Sequence, residues 1–441
     1  MARPAKTVAL DVWMNGERVG RWTVRAKGEH EFAYAEDWLS SQAVRPISLS
    51  LPLRPASQPY RGERVAAFFD NLLPDARAIR ERMMRRLKAA SIRPFDLLTQ
   101  AGRDCIGALQ LLEPGEPPAG YDEIRGETLS ANEIERHLKG LGGTPLGQLE
   151  EEGFRISLAG VQEKTALLQH RGRWMRPLGA TPTTHILKLP IGIAPRGIDL
   201  STSIENEWLC GQVIAAYGLP IASSEMARFG SEKALVVERF DRRLSSDKSW
   251  IVRLPQEDLC QATARPPSER YESDGGPGIK EIMNVLAGST NPGDRETFLR
   301  TQIVFWLLCA IDGHAKNFSI HLEQGGAYRL TPLYDVLSAY PIMGTRAGQL
   351  SPKKIKMSMA VEGKNRHYHW SEIVRRHWNE TARRCGFARD AEKLIEEILA
   401  KTPGVIKRAE SGLPRAFPSK VAEPVLKGLQ RAASRLAKQD A

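Results

Sequence analysis

Ile311-Asp-Gly-His-Ala-Lys-Asn-Phe318 decides the reading of this chain, and it comes directly after a strongly apolar run, Ile303-Val-Phe-Trp-Leu-Leu-Cys-Ala310. Asp312 and Asn317 stand five residues apart, and a second carboxylate closes the later segment Leu330-Thr-Pro-Leu-Tyr-Asp335. Phosphoryl transfer uses this set of groups: an acid for the incoming hydroxyl, an amide for one Mg²⁺ and a later Asp for the metal pair. Asp and Asn also cap helices and close turns, so the spacing alone leaves both readings open.

The 441 residues are enough for two or three domains with a sizeable core. A hydrophobic share of 41% and a charged share of 26% are ordinary for a globular protein. No stretch approaches the ~20 apolar residues that span a bilayer. The start, Met1-Ala-Arg-Pro-Ala-Lys6, is basic, but Asp11 interrupts the next segment, which reads as a strand and not as a secretory signal. A cytoplasmic location without membrane contact is therefore expected. Five dispersed cysteines without a C-x-x-C pair argue for reduced thiols. His367-Tyr-His369 with His377 lacks a matched Cys or carboxylate spacing and reads as histidines in a basic segment. The net charge of +11 is concentrated in two runs. One is Arg77, Arg80, Arg82, Arg85, Arg86 and Lys88; the other runs from Lys353 through Lys354, Lys356, Lys364, Arg366, Arg375, Arg376 and Arg383 to Arg384. Each is either a solvated helix face or a phosphate-backbone contact.

Asn15-Gly16 between Val8–Met14 and Glu17–Val24 predicts a type I′ hairpin. A short strand is expected over 46–52, helices over 65–73 and 76–87 broken at Pro74, then a helix from Pro94 and a strand within 102–109. Residues 113–120 read as an exposed connection, with a polar helix after it over 130–140. Strands are expected over 165–170, 185–189 and 234–240, with a helix over 206–217 between the last two. Further helices are expected over 278–286, 294–311, 371–385, 388–400 and 423–438. The expected class is α+β and two-lobed. Its parts are an N-terminal β/α subdomain (1–112), a connection (113–150), an ATP-binding part (151–255) and a helical C-terminal lobe (256–441).

Phosphoryl transfer also needs a loop over the phosphates and a cation to hold them. Residues 155–165, with Ala159 and Gly160, allow close backbone approach to an anion. Lys188 lies in the strand pattern Thr184-His-Ile-Leu-Lys188, as the phosphate-binding Lys of kinases lies in V-A-I-K. Kinase catalytic loops likewise space their acid and Asn as H-R-D-x-x-x-x-N, although here Ile311 stands where that pattern has Arg. Glu205 or Glu207, after an N-cap at Ser203, is the expected carboxylate partner of Lys188. Glu238-Arg-Phe240 falls where a hinge would hold adenine through backbone groups.

In this order the segments resemble the HipA-type serine/threonine kinases, toxins of bacterial toxin–antitoxin pairs. The resemblance rests on Phe68-Phe-Asp-Asn-Leu-Leu-Pro-Asp75, Gly102-Arg-Asp104, Ile156-Ser-Leu-Ala-Gly-Val-Gln-Glu-Lys-Thr165, Thr181-Pro-Thr-Thr-His-Ile-Leu-Lys-Leu-Pro190 and Val237-Glu-Arg-Phe-Asp-Arg-Arg243. It continues through Leu254-Pro-Gln-Glu-Asp258, Tyr271-Glu-Ser-Asp-Gly-Gly-Pro-Gly278 and the Asp312 and Asp335 segments. The resemblance implies ATP and Mg²⁺ as cofactors, Asp312 as catalytic base, and Asn317 and Asp335 as metal ligands. It implies a phosphate loop of Ala159, Gly160, Val161, Gln162, Glu163 and Lys164, with Lys188 on the phosphates. Glu238, Arg239 and Phe240 become the hinge, and His314, Ala315, Lys316 and Tyr334 complete the nucleotide set. Ser157 matches the autophosphorylated serine, whose added charge would repel nucleotide. Residues 190–203 resemble the activation loop. Implied partners are a small helix-turn-helix antitoxin dimer, operator DNA within that complex, and glutamyl-tRNA synthetase as substrate, its phosphorylation halting translation and producing dormancy. A catalytically weak co-repressor and a small-molecule or lipid kinase are the competing readings.

Overall fold

A computed structural model describes residues 7–141, 162–194, 197–387 and 391–438. The chain divides into two units. The first comprises Met1–Leu189, Ala227–Ser268 and Ile320–Tyr328; the second comprises Pro190–Met226, Glu269–Ser319 and Arg329–Ala441. No helix among the described residues is long and apolar enough to cross a membrane.

The first unit opens on the expected hairpin. Asn15 (φ 45°) and Gly16 (φ 89°) supply the positive φ values that a two-residue turn between right-twisted strands requires. Five antiparallel strands lie in the order Tyr60–Arg61, His30–Tyr34, Glu17–Val24, Val8–Met14, Leu109–Leu112. Trp22, Phe32, Phe68 and Phe69 fill the core, with Trp22 stacked on Phe69 at 4.0 Å between ring centroids. A second sheet carries Glu232–Glu238, His185–Lys188, Lys164–His170, Arg173–Pro177 and Gly126–Thr128 side by side; Ser224–Phe229 flanks it. Its core includes Leu167, Leu187, Ala234 and Val236, the apolar positions of its central strands.

In the second unit the helices are Ser203–Ala216, Ile279–Leu286, Asp294–Leu307, Arg375–Arg384, Ala391–Ser411 and Ser419–Ala437. Asp294–Leu307 is buried on nearly every side from Phe298 onward, as its lack of a polar stripe dictates. The expected helical C-terminal half also carries a β-hairpin, Lys356–Glu362 with Arg366–His369.

Helix ends shift by several residues, most at Ala391–Ser411, which runs past the expected end at 400, and four further local expectations change. Residues 46–52 form no strand: Ser48 and Leu51 make an isolated bridge around a turn closed by the Leu51 N–H on the Ser48 carbonyl. The strand expected within 102–109 lies at Leu109–Leu112, because Gly107 (φ 74°) turns the chain and its N–H donates to the Asp241 carboxylate. Ser203 is no N-cap; Thr202 holds that position, and the Ser203 hydroxyl accepts from the Ile191 N–H at 3.0 Å. The helix expected to reach 311 stops at Leu307. Cys309 is left-handed (φ 50°), its N–H returns to the Trp306 carbonyl, and the Ala310 N–H returns to Phe305. These two bonds are a Schellman stop built without the usual glycine.

Candidate functional site

That stop places Asp312 on a loop past the end of the helix, where the sequence puts it. The loop wraps its own carbonyl: the His314 N–H and the Asn317 Nδ2 each donate to the Asp312 carbonyl at 2.8 Å. The Ser358 hydroxyl holds the preceding Ile311 carbonyl at 2.5 Å. Gly313 is required by space, since a Cβ there would lie 2.6 Å from the Phe305 ring. The Asn317 amide thus closes a turn with its nitrogen and keeps its acceptor oxygen for another ligand.

The Tyr334 hydroxyl donates to the Lys316 carbonyl at 2.8 Å, which brings the segment ending in Asp335 beside the loop holding Asn317. Asp335 is left-handed (φ 61°), a strained state for a non-glycine residue that persists only where its surroundings hold it. Asn206, on the helix with Glu205 and Glu207, clamps the chain beyond Asp335. Its Nδ2 donates to the Ser338 carbonyl at 2.8 Å, and its Oδ1 accepts from the Ser338 N–H at 3.0 Å. Among the described residues no group of three or more His, Cys, Asp or Glu could hold a metal ion. Asn317 and Asp335 offer two oxygen ligands, which suits Mg²⁺, an ion that keeps waters and takes its other oxygens from phosphate.

In the first unit, Lys164 and Lys188 are direct cross-strand partners, so both side chains rise from one face of the sheet. Lys188 is buried and Lys164 half-buried. The Gln162 amide nitrogen donates to the Leu189 carbonyl, and Glu163 forms an ion pair with Arg82. Ser157, Ala159, Gly160 and Val161 lie outside the described residues. Lys188 belongs to this unit, and Glu205 and Glu207 belong to the second. Glu238 is exposed, and Phe240 meets His321 edge-on at 5.7 Å.

Arg239 departs from the hinge expectation. Its N–H donates to the Thr184 carbonyl, and its guanidinium is buried in a charge cluster. There it forms a fork with Asp241 at 2.8 and 2.9 Å, while Arg242 reaches Asp104 at 2.9 Å. Arg253 stands 3.4 Å from Asp104. Burial pushes both carboxyls up, but the arginines outweigh it and hold Asp104 and Asp241 below the usual range. The backbone bond and this cluster together give Arg239 a structural task.

Much of the second basic run is neutralised. Arg375 pairs with Glu392 and Glu396, Arg383 with Glu380, Arg384 with Glu362 and Glu380, and Arg366 with Glu272 and Glu362. Among the described residues, these arginines already share carboxylate partners. Residues 190–203 include a small hairpin, Gly192–Ala194 with Ile198–Leu200, on which Ile193 is strongly exposed.

One contact of Asp312 escaped the sequence reading. The Tyr271 hydroxyl donates to Asp312 Oδ1 at 2.6 Å. Tyr271 stood in a recognisable segment, but nothing in its spacing pointed to Asp312.

Two family models match: the HipA N-terminal domain over residues 10–112 and the HipA-like C-terminal domain over 156–406. Y4mE of Sinorhizobium fredii, a candidate kinase by its name, is 35% identical over 356 residues, 79% of this chain and 82% of its own. A serine/threonine-protein kinase toxin HipA of Shewanella oneidensis is 26% identical over 348 residues, covering 76% of each chain. The solved HipA of Shewanella oneidensis MR-1, in complex with HipB and its operator DNA, superposes with a TM-score of 0.77 at 20% identity over 97% of both chains. That superposition speaks to the fold.

Proposed function

Because the chain belongs to the HipA family, we propose that it is an ATP-dependent protein serine/threonine kinase acting as the toxin of a toxin–antitoxin pair. The observation that carries this reading is the second unit's arrangement of Asp312, Asn317 and Asp335, tied together through the Asp312 and Lys316 carbonyls. In this reading Asp312 accepts the proton of the incoming hydroxyl, and Asn317 and Asp335 hold Mg²⁺. When bound, the metal neutralises charge on the phosphates. Lys188 and its cross-strand neighbour Lys164 supply cations for the phosphates. Glu238 and Phe240 contribute to adenine binding.

The finer roles are those of the family. A helix-turn-helix antitoxin is the expected partner, with operator DNA joined in that complex, in line with what the Shewanella oneidensis structure contains. Glutamyl-tRNA synthetase is the proposed substrate, in the cytoplasm, and phosphorylation of Ser157 the proposed off-switch. The unpaired-charge requirement for DNA falls on Lys353, Lys354, Lys356 and Lys364 more than on the arginines of that run.

The test is phosphate transfer from labelled ATP to the chain itself and to cell proteins after brief expression without antitoxin. Asp312→Ala should lower transfer by at least about 100-fold, the low end for losing a general base, with an unchanged melting temperature. Full activity in that variant removes Asp312 from the mechanism. Labelled sugar or lipid with no labelled protein would replace the protein-kinase reading.

A further inference from the structure

The segment Tyr271-Glu-Ser-Asp-Gly-Gly-Pro-Gly278 has no task in the proposed reaction, yet it is built against the Asp312 loop. One bond joins them, Tyr271 Oη to Asp312 Oδ1 at 2.6 Å, and the preceding residue adds a second, the Ala315 N–H to the Arg270 carbonyl at 3.2 Å. The tyrosine ring is fixed on two sides. His314 meets it edge-on at 4.9 Å, and the Arg270 guanidinium lies over it at 4.9 Å. The backbone is fixed as well. The Gly276 N–H and the Asp274 N–H both return to the Tyr271 carbonyl, and Gly275 (φ 103°) makes the turn. A Cβ on Gly276 would collide with the Tyr271 carbonyl, at 2.9 Å. Glu272 anchors the next residue, accepting from the Ala360 N–H at 2.6 Å.

A carboxylate that serves as base has two equivalent oxygens and free rotation about its last torsion. An O–H donor locked on one of them removes both ambiguities. We infer that Tyr271 is the positioning residue of Asp312: its hydroxyl occupies Oδ1 and aims Oδ2 at the incoming hydroxyl. This rests on the kinase reading. In the step itself the substrate proton passes to Oδ2 while the hydroxyl oxygen bonds to the γ-phosphorus and the bond to ADP breaks. Tyr271 keeps its proton throughout. Burial and the neighbouring Asp312 carboxylate both push its phenol well above the ordinary range, so it stays a donor at any working pH. Arg270 and His314 are the charged and titratable groups seen against the Tyr271 ring among the described residues.

Tyr271→Phe keeps the ring contacts and deletes only the donor. It should lower kcat about 10-fold and hold KM for ATP, the split expected when a hydrogen bond that aims the base is lost and substrate binding is not. Replacing Tyr271 with 3-fluorotyrosine, which keeps the donor in nearly the same shape, should hold kcat within about twofold, and it covers the case in which the phenylalanine variant fails to fold. A purely structural role would lower the melting temperature of Tyr271→Phe and leave kcat of the folded fraction in place. An unchanged kcat in Tyr271→Phe, a faster Tyr271→Phe enzyme, or a 3-fluorotyrosine protein as slow as the phenylalanine variant would overturn the inference. The kinase reading fails separately, through an active Asp312→Ala.

Discussion

At the scale of single residues, the loop around Asp312 is held by contacts that tolerate little change. Gly313 shows this most directly. A methyl group there would stand 2.6 Å from Phe305, on a helix turn buried beneath the loop. Overpacking of this kind costs about 1–3 kcal/mol and is relieved by moving whichever side yields. Asp312 is exposed, but Gly313 through Phe318 are buried like the ring, so neither side yields freely and Gly313→Ala should lower both kcat and stability. Paired turnover and urea-unfolding measurements check this; a variant with normal kcat would show that the loop's position is not critical. The pairing of Asp312 and Asn317 was legible because the bond that joins them closes within five positions. Tyr271 was not, because its partner lies 41 positions away and a tyrosine in a glycine-rich turn carries no signal of what its hydroxyl meets.

Elements were legible where periodicity or turn chemistry is strong, as in the Asn15-Gly16 hairpin and the long helices after Gly278. Their ends were less so. A left-handed Cys309 stops a helix as well as glycine does, but at an energetic cost of about 1–2 kcal/mol that no sequence rule anticipates. The joint between the glycine-rich 102–107 turn and the strands near Thr183 and Asp241 was equally hidden. Three buried arginines and two buried aspartates meet there from segments more than a hundred residues apart. Asp104 alone touches Arg239, Arg242 and Arg253, and it also accepts from the Thr183 hydroxyl at 2.6 Å. Asp104→Asn keeps the shape and removes the charge, leaving three arginines with one carboxylate. Breaking a buried pair in this way costs about 3–5 kcal/mol. Urea unfolding of the variant should show a loss of that size, and a loss below about 1 kcal/mol would mean that water reaches the cluster.

For the molecule as a whole, three buried groups tilt the pH dependence of stability in opposite directions. Burial pushes the Glu257 carboxyl up to about 8, more than the bonds from Ser48 and the Leu49 N–H pull it back. Burial, with Arg86 and Arg176, pushes His137 down to about 3; burial, with His367 and Arg376, pushes His377 down to about 4. Folded Glu257 holds a proton that the unfolded chain releases above its ordinary value of 4.5, so its contribution is full below that pH and is lost as pH rises through about 8. The histidines act oppositely. The unfolded chain protonates them below 6.5 and the folded protein does not, so stability falls as pH drops below that value. Between its unfolded and folded values Glu257 should therefore make stability decline with rising pH by up to about 1.4 kcal/mol per pH unit. Glu257→Gln cannot ionise, so its profile should lack that decline and diverge from the parent's as pH rises toward 8. Unfolding free energies from pH ~5 to ~9 decide it: parallel alkaline slopes in the two proteins would mean that Glu257 is ionised in the fold.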